Sequence, residues 1–320
     1  MIDAFLAIQG WGGAQQTPLT ADASARCYIR LQKPRAQAVL MVAPPAAAGP
    51  QTRFVDMANW LRASGFSAPE ILAHDAGAGL MLLEDFGDDA LLNHLGQPSA
   101  TTRYEAAVDL LFSLQHQAPP AFLPAYSAEI LAEEAGRLLL WYYPVATGQP
   151  ASPDFTAAYQ AELAAALAPF MGEKPVTVLR DYHGQNLHWL GLRHGTKRIG
   201  LLDFQDALSG HPAYDLAALL GDVRGTVPPA LASALTARYI AKSGQNPADF
   251  HAALAAFGAQ RALKILGLFV RLAQRDGKPH YLRLLPRTWA VLQIALAHPD
   301  LAPLARFIAK HIPPPVGLRL

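Results

Sequence analysis

Apolar positions follow two regimes along this chain, with a change of character near Gly87. Before it the segments are short. Residues 1–8 have helical spacing and stop at Gly10, Gly12 and Gly13. Cys27, Ile29 and Leu31 alternate with Arg26, Tyr28 and Arg30, the period-2 pattern of a half-buried strand. Residues 38–43 form a continuous apolar run that suits a buried strand, and Pro44, Pro45, Gly49 and Pro50 break the chain after it. Phe54, Met57, Ala58 and Leu61 recur at helical spacing. Residues 71–73 and 80–83 predict two more strands, joined by a turn over 74–79.

From about Ala90 onward, Ala/Leu-rich segments take over. Their spacing predicts helices over 101–117, 127–142, 154–171, 229–242 and 247–274. One island interrupts them: apolar runs at 176–179, 187–190 and 199–202 predict short strands inside the helical region. Pro313 to Pro315 predict an extended tail. The expected class is α+β, with a small β-rich N-terminal lobe over residues 1–86 and a larger helical lobe over 87–320. A connector near residues 84–87 would join them.

Composition narrows this picture. The chain has 320 residues, 52% hydrophobic and 16% charged, which favours a buried core over disorder. Its 26 basic and 25 acidic residues leave a net charge of +1 with no basic stripe, so no nucleic-acid partner is expected. The single cysteine, Cys27, excludes an internal disulfide, and its place in the alternating run predicts a buried structural thiol. Residues 1–13 lack a cationic leader, and no window reaches the roughly 18 apolar residues of a membrane span. A cytoplasmic protein is expected, with no membrane contact and no obligate protein partner.

The chemistry concentrates in Arg180-Asp181-Tyr182-His183-Gly184-Gln185-Asn186 and in Leu202-Asp203-Phe204. Asp and Asn five residues apart, in a turn between apolar runs, can converge on one point. Asp203 places a second carboxylate at the end of an apolar strand. Phosphoryl transfer needs such a set: one carboxylate to orient the acceptor hydroxyl, and an amide oxygen with another carboxylate to hold Mg²⁺ against the phosphates. Both Asp181 and Asn186 are also ordinary turn formers.

Asp181…Asn186 followed by Leu202-Asp203-Phe204 resembles the catalytic loop and metal-binding segment of the aminoglycoside phosphotransferase family, relatives of protein kinases and choline kinases. Gly210-His211-Pro212-Ala213-Tyr214-Asp215-Leu216-Ala217 resembles a further segment of that family. Five stretches together are similar to the bacterial anomeric N-acetylmuramate/N-acetylglucosamine kinases of cell-wall (peptidoglycan) recycling. They are residues 22–30, 43–45, 82–87, 180–183 and 203–207. The resemblance implies a bilobal protein-kinase-like fold, ATP and Mg²⁺ as cofactors, and a small sugar as acceptor. It makes Asp181 the catalytic base, Asn186 and Asp203 the Mg²⁺ ligands, and Asp215 a buried carboxylate bracing the loop. Ala23 and Ser24 would cover the phosphates, and the backbone of Glu84, Asp85 and Phe86 would meet the adenine.

The sequence departs from the family at two places. Leu179 stands where a histidine usually precedes the catalytic aspartate, and the usual strand lysine would fall near Met41. Arg26 and Arg30 are the nearest replacements for that cation, since guanidinium binds phosphate bidentately. His183 and Gln205 are candidate substrate contacts, and His183 or His211 could meet an acidic substituent. Glu129, Glu133 and Glu134 read as a solvated helix face or as a grip on a cationic substrate. Two other functions stay open: a kinase of an aminoglycoside or an amino alcohol such as choline, and a non-catalytic nucleotide-binding protein.

Overall fold

A computed structural model describes residues 1–19, 26–45 and 51–316. Ala23 and Ser24 lie outside these residues. The chain divides into two compact units, one of Met1–Asn93 with Asn186–Asp206, the other of His94–Gln185 with Ala207–Leu320. Residues 186–206 thus group with the N-terminal strands, although the sequence boundary near Gly87 set them with the helices.

The first unit is built on a five-stranded antiparallel sheet in the order β1-β2-β3-β5-β4. Its strands are β1 (Gln15–Pro18), β2 (Cys27–Lys33), β3 (Ala36–Val42), β4 (Ile71–Asp75) and β5 (Leu80–Glu84). Alternation sorts their side chains onto two faces. Ile29, Leu31, Ala38, Leu40, Leu80 and Leu82 pack with Phe5 and Leu6 of helix α1 (Ile2–Ile8). Helix α2 (Thr52–Ala63) buries Phe54, Met57, Ala58 and Leu61, the positions whose spacing predicted it. Cys27 corrects an expectation: its thiol is exposed. The alternation gives the face it shares with Ile29 and Leu31, but Cys27 is the first residue of β2, beyond the cover of α1. Strands Leu187–Trp189 and Ile199–Leu201 form a separate hairpin, tied back by Leu201 N–H donating to the Ser67 carbonyl at 2.8 Å.

The second unit is helical. It contains α3 (Ala100–Gln115), α4 (Ala128–Arg137), α5 (Pro153–Leu167), α6 (Ala213–Leu220), α7 (Pro229–Ser243), α8 (Pro247–Gln274), α9 (Leu285–Leu296) and α10 (Ala302–His311). Asn246 starts α8 by accepting from the backbone of Ala248 and Asp249, with Pro247 at the first turn where its missing N–H costs nothing. By length and hydropathy α8 could cross a membrane, yet 78% of its apolar window is buried in the protein. It is the core helix of this unit, against α4, α6 and α9. The predicted helix over 127–142 splits, because α4 gives way to a π-helical turn at Leu138–Tyr142. There α8 comes so close that a methyl group on Gly267 would sit 2.1 Å from the Arg137 carbonyl. The short strands Val176–Val178 and Leu208–Gly210 pair antiparallel at the base of the next loop.

Candidate active site

Strand Val176–Val178 delivers the chain into residues 179–185. Arg180 there adopts φ 70°, a left-handed conformation uncommon outside glycine. Asp215 of α6 holds it. That carboxylate has no exposed surface and accepts from Leu179 N–H at 2.6 Å and Arg180 N–H at 2.9 Å. Burial pushes Asp215 up to about 7, against these two donors and the charge of Arg261. On the far side Arg261 Nη1 of α8 donates to the Arg180 carbonyl at 2.7 Å. Tyr182 anchors the loop to α3 through a 2.7 Å bond to the Ala107 carbonyl.

These bonds present Asp181, which is half-buried. Burial alone would raise its carboxyl. The Arg261 guanidinium, 3.6 Å away, together with Lys264 and Arg180, overcomes that and holds it at about 2. Behind it lies a buried charge cluster. Glu134 of α4 binds Arg180, Lys264 at 2.9 Å and the Tyr126 hydroxyl. Tyr126 in turn accepts from the Tyr214 hydroxyl at 2.9 Å. Burial opposes the Glu134 charge, but Lys264 and Arg180 keep its carboxyl low, so the cluster is ionised. Glu134 therefore corrects the reading of one solvated acidic face: Glu129 and Glu133 are exposed, and Glu134 is 3% exposed.

His183 is buried, and its ring accepts from Arg224 Nη1 at 3.2 Å. Burial and then the Arg224 charge hold the imidazole well below its ordinary value, so it is neutral. Asp222 accepts from Gly184 N–H at 3.2 Å and Arg224 N–H at 2.9 Å, stitching the loop to the end of α6.

In the sheet unit, the Asn186 carbonyl accepts from Leu202 N–H at 2.9 Å across the hairpin. Asp203 follows with φ 57°. Phe204 fixes it from below, its ring 5.0 Å from Phe54 of α2. Gln205 is buried and donates to Asp203 Oδ1 at 2.7 Å and to Asp206 at 3.3 Å, so its amide serves these carboxylates. Burial and then the Asp203 charge push the Tyr28 hydroxyl up to about 12, while Arg26 pulls the other way. Asp203 with Asn186 is a hard oxygen donor pair, a chemistry that fits Mg²⁺, which keeps several waters and few protein ligands.

Met41, opposite Tyr28 in the sheet, is fully buried, so no cation stands at that strand position. Arg30 is gripped bidentately by Asp85, at 2.6 and 3.1 Å, and by Asp88 at 2.7 Å. Asp85 also accepts from Gly87 N–H at 2.8 Å, which shapes the turn after β5. Glu84 pairs with Arg193, whose guanidinium lies 5.4 Å from the Phe86 ring centre. Phe86 rests on Gly200, where any Cβ would approach the ring to 2.6 Å. Arg193, Arg224, Arg261 and Lys264 are the residues the sequence reading missed. The last two had a visible signal: charges at i and i+3 inside an otherwise apolar helix imply buried partners.

Residues 15–254 match the phosphotransferase enzyme family designated APH. The chain is 38% identical to the N-acetylmuramate/N-acetylglucosamine kinase of Caulobacter vibrioides over 97% of this chain and 95% of that one. It is 33% identical to the Pseudomonas aeruginosa enzyme of the same name, over 94% and 90%. A choline/ethanolamine kinase family protein from Mesorhizobium loti superposes with a TM-score of 0.66 at 16% identity, covering 97% of this chain and 98% of that one. The fold is therefore protein-kinase-like, as the resemblance implied, and α+β, as the element pattern predicted.

Proposed function

The chain belongs to the APH phosphotransferase enzyme family, and on that premise we propose that it phosphorylates the anomeric hydroxyl of N-acetylmuramate and N-acetylglucosamine, with Asp181 facing the acceptor. The protein is an ATP-dependent kinase of a small molecule. One observation carries the choice of sugar: identity to the Caulobacter kinase extends over 97% of this chain and 95% of that one. Such an enzyme would recover cell-wall amino sugars in the cytoplasm.

Asp181 is ionised at neutral pH, so it accepts the hydrogen bond of the sugar hydroxyl and points the oxygen at the phosphorus. A carboxylate held at about 2 is a weak base. It takes the proton late, as the new O–P bond forms and the hydroxyl becomes more acidic. Arg261 keeps the carboxylate charged and in place. Asn186 and Asp203 would hold Mg²⁺, which offsets charge on the phosphates when bound. Gln205 fixes the rotamer of Asp203. The backbone of Glu84 to Phe86 would meet the adenine, and Ala23 and Ser24 the phosphates. Arg26 or Arg30 would supply the phosphate cation, and Arg30 is held by Asp85 and Asp88.

The test is direct. Purified protein incubated with Mg-ATP and either sugar should give the ³¹P NMR signal of a sugar 1-phosphate. ATP that persists beside both sugars overturns the sugar assignment and sends the search to amino alcohols.

A further inference from the structure

The first turn of α6 carries two side chains that serve the loop presenting Asp181. Asp215 accepts from Leu179 N–H and Arg180 N–H. The Tyr214 hydroxyl donates to Tyr126, which binds Glu134. Where this turn sits therefore decides where the loop sits. His211, just before it, bonds two of its N–H groups. The His211 carbonyl accepts from Tyr214 at 3.2 Å, and ring Nδ1 accepts from Ala213 at 3.1 Å. The ring is buried, stacked 4.7 Å from Phe257 and edge-on to Phe170 at 5.9 Å. A backbone N–H can only donate, so Nδ1 carries a lone pair and the ring proton is on Nε2. Nε2 lies 3.0 Å from Glu173 Oε2. Of the two neutral tautomers, one alone suits both neighbours. Burial holds the imidazole below its ordinary value, against the pull of Glu173, so the lone pair is present at pH 7.

The same two residues flank the root of the loop. Val176 stands opposite Gly210 and Val178 opposite Leu208. The loop leaves at the Val178 end of this strand pair, and the contact between Glu173 and His211 closes the other end. His211 is thus joined both to the root of the loop and to its brace. A carboxylate does meet His211, but it is the chain's own.

We propose that His211 is a positioning residue for phosphoryl transfer: its Nδ1 lone pair seats the first turn of α6, and Glu173 selects the tautomer that presents this lone pair. The role rests on the reading above, in which residues 179–185 present Asp181 to the acceptor, and adds the pair that aligns them.

Two variants separate the two ring nitrogens. In His211→Asn an amide oxygen stands where Nδ1 stood and accepts from Ala213, whereas the amide of His211→Gln replaces Nε2 and leaves that N–H without its acceptor. Thermal melting sets an assay temperature at which each variant is folded. There His211→Gln should lose about 10- to 100-fold in kcat, with KM for ATP within about threefold, and His211→Asn should stay within about threefold of wild type. Turnover retained in folded His211→Gln, or lost equally in both variants, overturns the positioning role. Glu173→Gln tests the same link without a core substitution, since the Glu173 side chain is 42% exposed. ¹⁵N NMR of histidine-labelled protein reads the ring directly, with His211 assigned by its absence from His211→Asn. Wild type should show an unprotonated Nδ1, and Glu173→Gln should gain the Nδ1–H tautomer with kcat falling in step. A protonated Nδ1 in wild type, or an unchanged tautomer and turnover in Glu173→Gln, overturns the selection by Glu173. Wild-type protein that phosphorylates neither sugar overturns the sugar reading instead, and the NMR result still judges the pair.

Discussion

The loop at residues 179–185 and the turn at residues 202–206 each hold one non-glycine residue in the left-handed region, Arg180 at φ 70° and Asp203 at φ 57°. Such conformations cost on the order of 1–3 kcal/mol each and persist only where the surroundings impose them. The surroundings differ. Arg180 is imposed from a distance, by a buried carboxylate 35 positions along on α6, by Arg261 on α8 and by Glu134 on α4. Asp203 is imposed locally, by Gln205 two residues on and by Phe204 wedged against Phe54. Strain at the first turn is borne by the core of the helical unit. At the second it is borne by its own neighbours. Damage to the first should therefore cost stability and activity together, and damage to the second should cost activity with little stability.

Asp181→Asn removes the carboxylate charge at nearly constant shape and should give the largest effect. Turnover should fall about 10²- to 10⁴-fold while ATP affinity, measured by calorimetry, stays within about threefold. Undiminished turnover would remove Asp181 from the chemistry. Asp215→Asn comes next. An amide has one acceptor for two backbone donors, so one N–H is left against an NH₂, at about 1–3 kcal/mol. The melting temperature should drop by several degrees and turnover should fall with it.

This deficit should also depend on pH. Asp215 sits at about 7 in the folded protein, above the roughly 3.9 of an unfolded chain. Its contribution is therefore full below about pH 4 and lost as pH rises through about 7. The deficit of Asp215→Asn should be larger at pH 5 than at pH 8, and the reverse order would mean that burial does not dominate there. Gln205→Ala is the smallest change. Turnover should fall roughly 10-fold with a higher Mg²⁺ requirement, as when a partner of a metal ligand is lost. Melting should shift by no more than about a degree. A loss of stability equal to that of Asp215→Asn would erase the contrast between the two turns.

Much of this was legible in the chain itself. The strand and helix periodicities placed β2, β3, α2 and α8, and the Asp181, Asn186 and Asp203 spacing pointed to phosphoryl transfer. What escaped has physical reasons. Cys27 alternates correctly, but periodicity does not say where the cover of α1 stops. Glu134 sits one residue beyond an exposed glutamate, and only the approach of Arg180 and Lys264 makes its burial tolerable. Strand β1 contains no apolar alternation, and all four of its residues are exposed. Helices α9 and α10 follow a proline-broken stretch and carried no motif. The bond between Arg224 and His183 joins residues 41 positions apart, a pairing that no local pattern encodes.

The allotment of residues 186–206 to the sheet unit has a consequence for rearranging this gene. A segment ending at Asn93 would carry all five strands of the main sheet, yet would lack the hairpin that meets Ser67, Ala90 and Phe86. The sheet unit is therefore not a portable cassette. Grafting residues 1–93 onto a relative would transplant contacts whose complements stay behind, and a functional chimera has to exchange both stretches at once.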